Sequence, residues 1–226
     1  MAKTKIEFVC RECGASHHQW AGQCLDCKEW NTLEEIVISQ ATSSKSEILK
    51  DLPASKVQNL SEITTQNKER LSTGLSELDR TLGGGLVDGS VVLIGGDPGI
   101  GKSTLILQAL AVINTTNSTL YVSGEESAEQ VSERAIRLEI KEDILFISET
   151  HLEKILKLSK DVQPKVIVID SIQTMVTDIS TSAPGSVTQV RDCAAQLTQY
   201  AKQTNTVLLL IGHVTKGGAL AGPRIL

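Results

Sequence analysis

Between Val91 and Ile211 the chain alternates short apolar runs with longer stretches in which apolar residues return every three or four positions. The runs Val91–Gly95, Thr119–Ser123, Ile144–Ile147, Lys165–Ile169 and Thr206–Ile211 are β-branched and aliphatic, as in strands covered on both faces. The spacing between them predicts helices over 102–114, 127–139, 151–161 and 187–203. The first helix, beginning Lys102-Ser-Thr-Leu-Ile-Leu, is apolar nearly all round and belongs at the centre of a domain. Strands and helices alternating in this way imply an α/β fold with a mostly parallel sheet.

The chain ahead of this pattern has a different character. Residues 1–38 hold four of the five cysteines and both tryptophans. Residues 39–70 open with Ser39-Gln-Ala-Thr-Ser-Ser-Lys-Ser, are broken by Pro53 and read as a linker in which Leu60–Ile63 docks locally. The expected division is therefore a small module over 1–38, a linker over 39–70 and an α/β domain over 71–226, with no internal repeat.

Cys10-Arg-Glu-Cys13 and Cys24-Leu-Asp-Cys27 are two CxxC pairs separated by ten residues. Each pair turns two thiolates toward one point, and two such knuckles close the tetrahedron that Zn²⁺ prefers. Buried thiols or a redox-active pair would not call for two units so close together. Four thiolates complete the shell, so His17 and His18 are read as non-ligands and the zinc as structural. Trp20 and Trp30 flank the second pair and are expected to pack as the module's small core, with stacking on bases as the alternative.

Gly96-Asp97-Pro98-Gly99-Ile100-Gly101-Lys102-Ser103 matches GxxxxGK[ST], after an apolar strand and before an apolar helix. Glycines let the backbone wrap phosphates, and the N-terminus of the helix, through Thr104, adds positive potential. Lys102 is expected to reach the β and γ phosphates of ATP, and Ser103 to ligand Mg²⁺. Lys165-Val-Ile-Val-Ile169 then delivers Asp170 to the carboxyl end of a strand, where it would hold Mg²⁺ through water. Hydrolysis also needs a group that orients or deprotonates water. Glu125, first after the strand ending Tyr121-Val-Ser-Gly, is the preferred base; Glu126 either braces it or opens the next helix. His213 ends a further strand and is read as a γ-phosphate sensor, against a purely structural role.

Composition narrows the partners. The net charge of −5 over 226 residues excludes a bulk polycation coating nucleic acid and leaves room for a local basic groove. Aromatic residues are 3%, so the core is aliphatic. No apolar run approaches the roughly 20 residues that span a bilayer, and Ile6–Val9 is too short for a signal core. A cytoplasmic protein without a membrane partner is expected, in a compartment where CxxC pairs bind metal.

Thr73-Gly-Leu-Ser-Glu-Leu-Asp-Arg-Thr-Leu-Gly-Gly-Gly-Leu, the Gly96–Thr104 loop, Tyr121-Val-Ser-Gly-Glu-Glu and Ile169-Asp-Ser-Ile-Gln-Thr-Met together resemble the RecA-type ATPase superfamily. With the four-cysteine module ending Glu29-Trp-Asn-Thr-Leu-Glu-Glu, and the tail Gly212-His-Val-Thr-Lys…Ala-Gly-Pro-Arg224, the chain is similar to the bacterial RadA/Sms family of DNA-repair proteins. The resemblance implies a DNA-stimulated ATPase that forms helicase-like homo-oligomeric rings. It also implies action with the RecA recombinase in strand exchange and branch migration on single-stranded and branched DNA. It places the Thr206–Ile211 strand between those carrying Lys102 and Asp170. DNA contact is expected in the loop after Asp170, at Ser186, Gln189 and Arg191, although an ordinary connector would have the same composition. Cys193 follows the apolar rhythm of the next helix and is read as packing.

Lys216 and Arg224 are candidates to reach a neighbouring subunit's nucleotide, or else are surface charges. Position 217 is Gly where the family pattern is acidic. Family members continue with more ATPase core, a Lys-Asn-Arg-Phe-Gly motif and a Lon-protease-like domain, so the chain resembles an amino-terminal portion. Two other readings share parts of this pattern. A signalling ATPase of the circadian-clock kind has the same core and paired glutamates, and a nucleotide- and DNA-binding module would never turn over.

Overall fold

The apolar runs become a parallel sheet because each is long enough to cross a domain and too apolar to face water on either side. In the computed structural model, which describes residues 5–10, 14–38, 59, 69–180 and 182–213, these strands are β4 (Val91–Gly96), β5 (Thr119–Ser123), β6 (Leu145–Ser148), β7 (Val166–Asp170) and β8 (Val207–His213). They pair in parallel in the order β4-β8-β7-β5-β6, so β8 lies between β4 and β7, as the family pattern implies. The connecting helices are α2 (Lys102–Asn114), α3 (Ala128–Arg137), α4 (Leu152–Val162) and α5 (Val187–Thr204).

Strand alternation sorts side chains between two cores. Leu120, Val122, Ile167, Ile169, Leu208 and Leu210 pack with Leu152 and Ile155 of α4 and with Val190 and Leu197 of α5. Tyr121, Val166, Val168, Val207, Leu209 and Ile211 pack with Ile106, Leu107 and Leu110 of α2. Each such aliphatic side chain contributes about 1.5–3 kcal/mol by leaving water. The parity carries a functional consequence. Asp170 continues the series Val166, Val168, and His213 continues Val207, Leu209, Ile211, so both belong to the face covered by α2. Both also lie further into their strands than the apolar runs indicate, since pairing persists through Asp170↔Ile211 and Gly96↔His213.

Helix boundaries follow local chemistry. In α3, Ser127 and Gln130 form a reciprocal capping box. In α5, Ser186 accepts the Gln189 N–H at the N-cap. The N-cap of α2 is Gly101 at φ 99° with no side-chain cap, which leaves first-turn N–H groups for a ligand. One short helix, α1 (Ser76–Thr81), has no apolar signature because it buries none of its residues. Asp79 within it accepts from Ser72 Oγ (2.6 Å), Thr73 Oγ1 (2.7 Å) and Thr73 N (2.9 Å), fastening the segment that leads into the core.

The cysteine-rich segment forms an antiparallel sheet of β1 (Lys5–Cys10), β2 (Ser16–His17) and β3 (Leu33–Ile38), in the order β2-β1-β3. Its small core is Cys10, Cys24 and Leu33, with Phe8, Ala15, Ala21 and Cys27 against it. The tryptophans are not in that core. Trp20 and Trp30 are 59% and 67% exposed and flank Gly22 from outside. The thiol cluster fills the interior and leaves no space for two indoles.

Candidate active site and metal centre

The two cysteine knuckles are built alike. Gly14 N donates to Cys10 O at 2.8 Å and Lys28 N to Cys24 O at 2.9 Å; in return Cys10 N donates to Ala15 O and Cys24 N to Glu29 O, each at 2.9 Å. The residue after each CxxC is left-handed, Gly14 at φ 70° and Lys28 at φ 62°. The ligand atoms of Cys10, Cys24 and Cys27 all lie within 4.8 Å of one another, with Cys10 Sγ 3.6 Å from Cys27 Sγ. Thiolates at about 2.3 Å from a tetrahedral zinc stand about 3.8 Å apart, so the cluster fits the metal. Cys13 lies outside the described residues. Two polar neighbours support the sulfurs: Thr32 Oγ1 is 3.2 Å from Cys10 Sγ, and His17 Nε2 is 3.4 Å from Cys24 Sγ. His17 also stands 3.5 Å from Asp26 Oδ2, the position of an outer hydrogen-bonding residue.

At the carboxyl ends of the central strands, the phosphate loop runs from Gly96 to Thr104. Gly99 and Gly101 have φ of 78° and 99°, and a Cβ on either would meet nothing within 4 Å. Glycine is therefore required there by backbone conformation rather than crowding, and the space above the loop is open. Asp97, Pro98 and Ile100 complete the turn. Lys102 is buried, with Nζ donating to Gly96 O (2.8 Å) and Asp97 O (2.9 Å) and lying 3.3 Å from His213 Nδ1.

His213 joins two parts of the site. Its other ring nitrogen, Nε2, lies 3.0 Å from Glu125 Oε1 and 3.3 Å from Oε2. Ser171, next after Asp170, donates its hydroxyl to the same Glu125 carboxylate. Lys102, His213 and Glu125 thus form one hydrogen-bonded row. Glu126 points elsewhere: its carboxylate pairs with Arg134 of α3, and its N–H donates to Ser123 Oγ at 2.9 Å. The hydrogen bond that Arg134 donates to Glu126 holds the guanidinium pKa above its ordinary value; burial opposes this, and the nearby anionic groups add to it.

Asp170 is buried beside this row and accepts a hydrogen bond from the Tyr121 hydroxyl at 2.5 Å. Burial, then the charge and hydrogen bond of Asp170, push the Tyr121 phenol well above its usual value, so the tyrosine is the donor. The nearby Ser103 side chain weakly opposes this shift. Sequence patterning does not disclose Tyr121, Ser171 or Arg134 as neighbours of the site. The strand parity of Tyr121 with Ser123 is the one available signal.

The residues expected to face DNA separate. Arg191 is exposed, and Ser186 is half-buried as the cap of α5. Gln189 is buried and donates to Thr177 O at 3.4 Å, because it falls on the inward side of α5 beside Val190; it does not present its amide to solvent. Lys216, Gly217 and Arg224 lie outside the described residues, as do Thr181 and Leu60–Ile63. Cys193 is fully buried in the α5 core.

A glycine-rich loop capping a buried helix, a lysine within it and a carboxylate on the next-but-one strand of a parallel sheet define a P-loop nucleotide-binding domain. Residues 58–219 match the family model of the AAA domain, and the chain belongs to that family of ATPases. Residues 8–35 match the rubredoxin metal-binding domain, which with the cysteine cluster makes the module a structural zinc ribbon. Over its whole length the chain is 53% identical to DNA repair protein RadA of Pseudomonas aeruginosa, 48% to that of Escherichia coli and 46% to that of Bacillus subtilis. It spans about half the length of these curated relatives, 50%, 51% and 50% respectively. Among the described residues no helix is long and apolar enough to cross a membrane.

Proposed function

We propose that the chain is the zinc-module and ATP-hydrolysing portion of a DNA-repair motor whose turnover is stimulated by single-stranded DNA. The convergence of Lys102, Glu125 and His213 in one hydrogen-bonded row beside the phosphate loop carries this reading. In it, Lys102 exchanges the Gly96 and Asp97 carbonyls for the β and γ phosphates. Glu125, held by Ser171 and His213, accepts the proton of the attacking water. His213 touches both lysine and base, and so registers whether a γ-phosphate stands between them. Ser103 and Asp170, a hydroxyl and a buried carboxylate brought together at Tyr121, have the oxygen chemistry that fits Mg²⁺. When bound, that ion neutralises phosphate charge.

The RadA relatives are named for DNA repair, which supports a DNA substrate. Ser186 and Arg191 are the residues assigned to phosphate contact, with Gln189 as their buried support. Action with the RecA recombinase on branched DNA, assembly into a homo-oligomeric ring, and a bacterial cytoplasmic location complete the proposal. Lys216 and Arg224 are its candidate contributions to a neighbouring subunit.

The test is ATP hydrolysis by the purified chain with and without single-stranded DNA, with zinc content and DNA affinity recorded across a salt series. Stimulated turnover is expected, with an affinity that falls by a log–log slope of about −0.7 per phosphate contact. Intact nucleotide binding with no turnover, or turnover indifferent to DNA, would overturn the motor.

A further inference from the structure

We infer that Tyr121 is a positioning residue for the Asp170 carboxylate, selecting which of its oxygens faces the metal and nucleotide. The inference rests on the proposed assignment of Asp170 to Mg²⁺. Tyr121 is 0% exposed, in the middle of a strand covered on both faces. Packing alone asks for a ring there, and its stacking on Phe146, with centroids 6.2 Å apart, uses only the ring. A hydroxyl taken into such a place costs stability unless it is satisfied. This one is satisfied by a single carboxylate oxygen, Asp170 Oδ2.

The register explains how the two groups meet. Tyr121 pairs with Val168 and Ser123 with Asp170, so Tyr121 and Asp170 share the α2 face one step apart. The Tyr121 hydroxyl reaches the Asp170 carboxylate at 2.5 Å. Oδ2 is then committed to the phenol. Oδ1 is left as the oxygen for the ion. Arg134, paired with Glu126, is close enough to interact electrostatically with both Tyr121 and Asp170.

The experiment compares binding of a fluorescent ATP analogue in Mg²⁺ and in EDTA for the chain and for Tyr121→Phe and Asp170→Asn, with circular dichroism melts of each. Tyr121→Phe keeps the ring. It is expected to lose about tenfold of the Mg²⁺-dependent gain in affinity, the scale of one hydrogen bond to a charged group, with affinity in EDTA unchanged. A packing role would instead lower the melting temperature alone, or weaken binding equally in both buffers; either result overturns the inference. An unchanged Mg²⁺ gain in Tyr121→Phe, with the gain abolished in Asp170→Asn, removes the role of Tyr121 and leaves the metal assignment standing. A gain preserved in Asp170→Asn removes both.

Discussion

Glu125 and Glu126 are adjacent in the chain but serve different neighbours, so their Gln variants separate cleanly. Glu125→Gln keeps an oxygen that accepts from Ser171 and His213 while removing the basic carboxylate. A positioned general base contributes about 10²–10⁴ in rate. At about 1.36 kcal/mol per tenfold, that is about 2.7–5.4 kcal/mol of barrier. Turnover should fall by that factor, with nucleotide affinity and melting temperature near those of the parent. Glu126→Gln instead strips the charge from a pair whose side chains are 28% and 17% exposed, while leaving one acceptor for Arg134. The charge-assisted part of that contact is worth about 1.5 kcal/mol. For a chain of this size the melting temperature should drop by about 3–6 °C. The assay is steady-state ATP hydrolysis with a parallel thermal melt. Near-parental turnover in Glu125→Gln, together with lost turnover and an unchanged melt in Glu126→Gln, would refute the geometry-based assignment.

Three further outcomes follow from the same structure. Lys102→Ala should weaken ATP binding by about tenfold or more, because at least one charge-assisted contact to phosphate is lost; equilibrium titration checks it, and an unchanged Kd contradicts the phosphate-loop assignment. Cys24→Ser should release zinc and unfold the cysteine module while the α/β core keeps its melt; atomic absorption showing a full complement of zinc would defeat it. Glu149 accepts from the His151 and Thr150 backbone N–H groups, which hold its carboxyl down at about 2 against an ordinary 4.5. Its ionised form stabilises the fold above the unfolded value, and that contribution is lost as pH falls from about 4.5 toward 2. Glu149→Gln should flatten stability against pH in that window, and melts across the acid range would show an unaltered slope if the bonds from Thr150 N and His151 N to Glu149 do not matter.

Much of the core was legible because each strand is a short apolar run between turn residues. Lys102–Asn114 is helical over the range that its periodicity indicates. What patterning could not convey was distance between elements. The proton donor of Asp170 lies 49 positions earlier, and the partner of Glu125 lies 88 positions later. Neither separation leaves a periodic trace. Gln189 reads as a polar loop-to-helix residue, and only the packing of α5 over Thr177 shows it turned inward. The tryptophans were misplaced for a related reason: large apolar residues usually fill a small core, but here thiols occupy it. β1 and β3 gave little signal, since neither is a continuous apolar run and the sheet closes around the cysteine cluster.

The alternation that places Asp170, Tyr121 and His213 on the α2 face also fixes how the gene can change length. Deleting one residue inside β7 would turn Asp170 to the α4–α5 face and bring Ser171 into its place at the catalytic mouth; a deletion in β8 would likewise turn His213 to the other face. Paired changes restore parity but displace the carboxylate by about 6–7 Å along the strand. The lengths of β5, β7 and β8 are therefore locked by chemistry at their carboxyl ends. Insertions that spare the nucleotide can be accommodated at the opposite edge, in the turns 115–118, 138–144 and 163–165, where the chain crosses between helix and strand far from any phosphate.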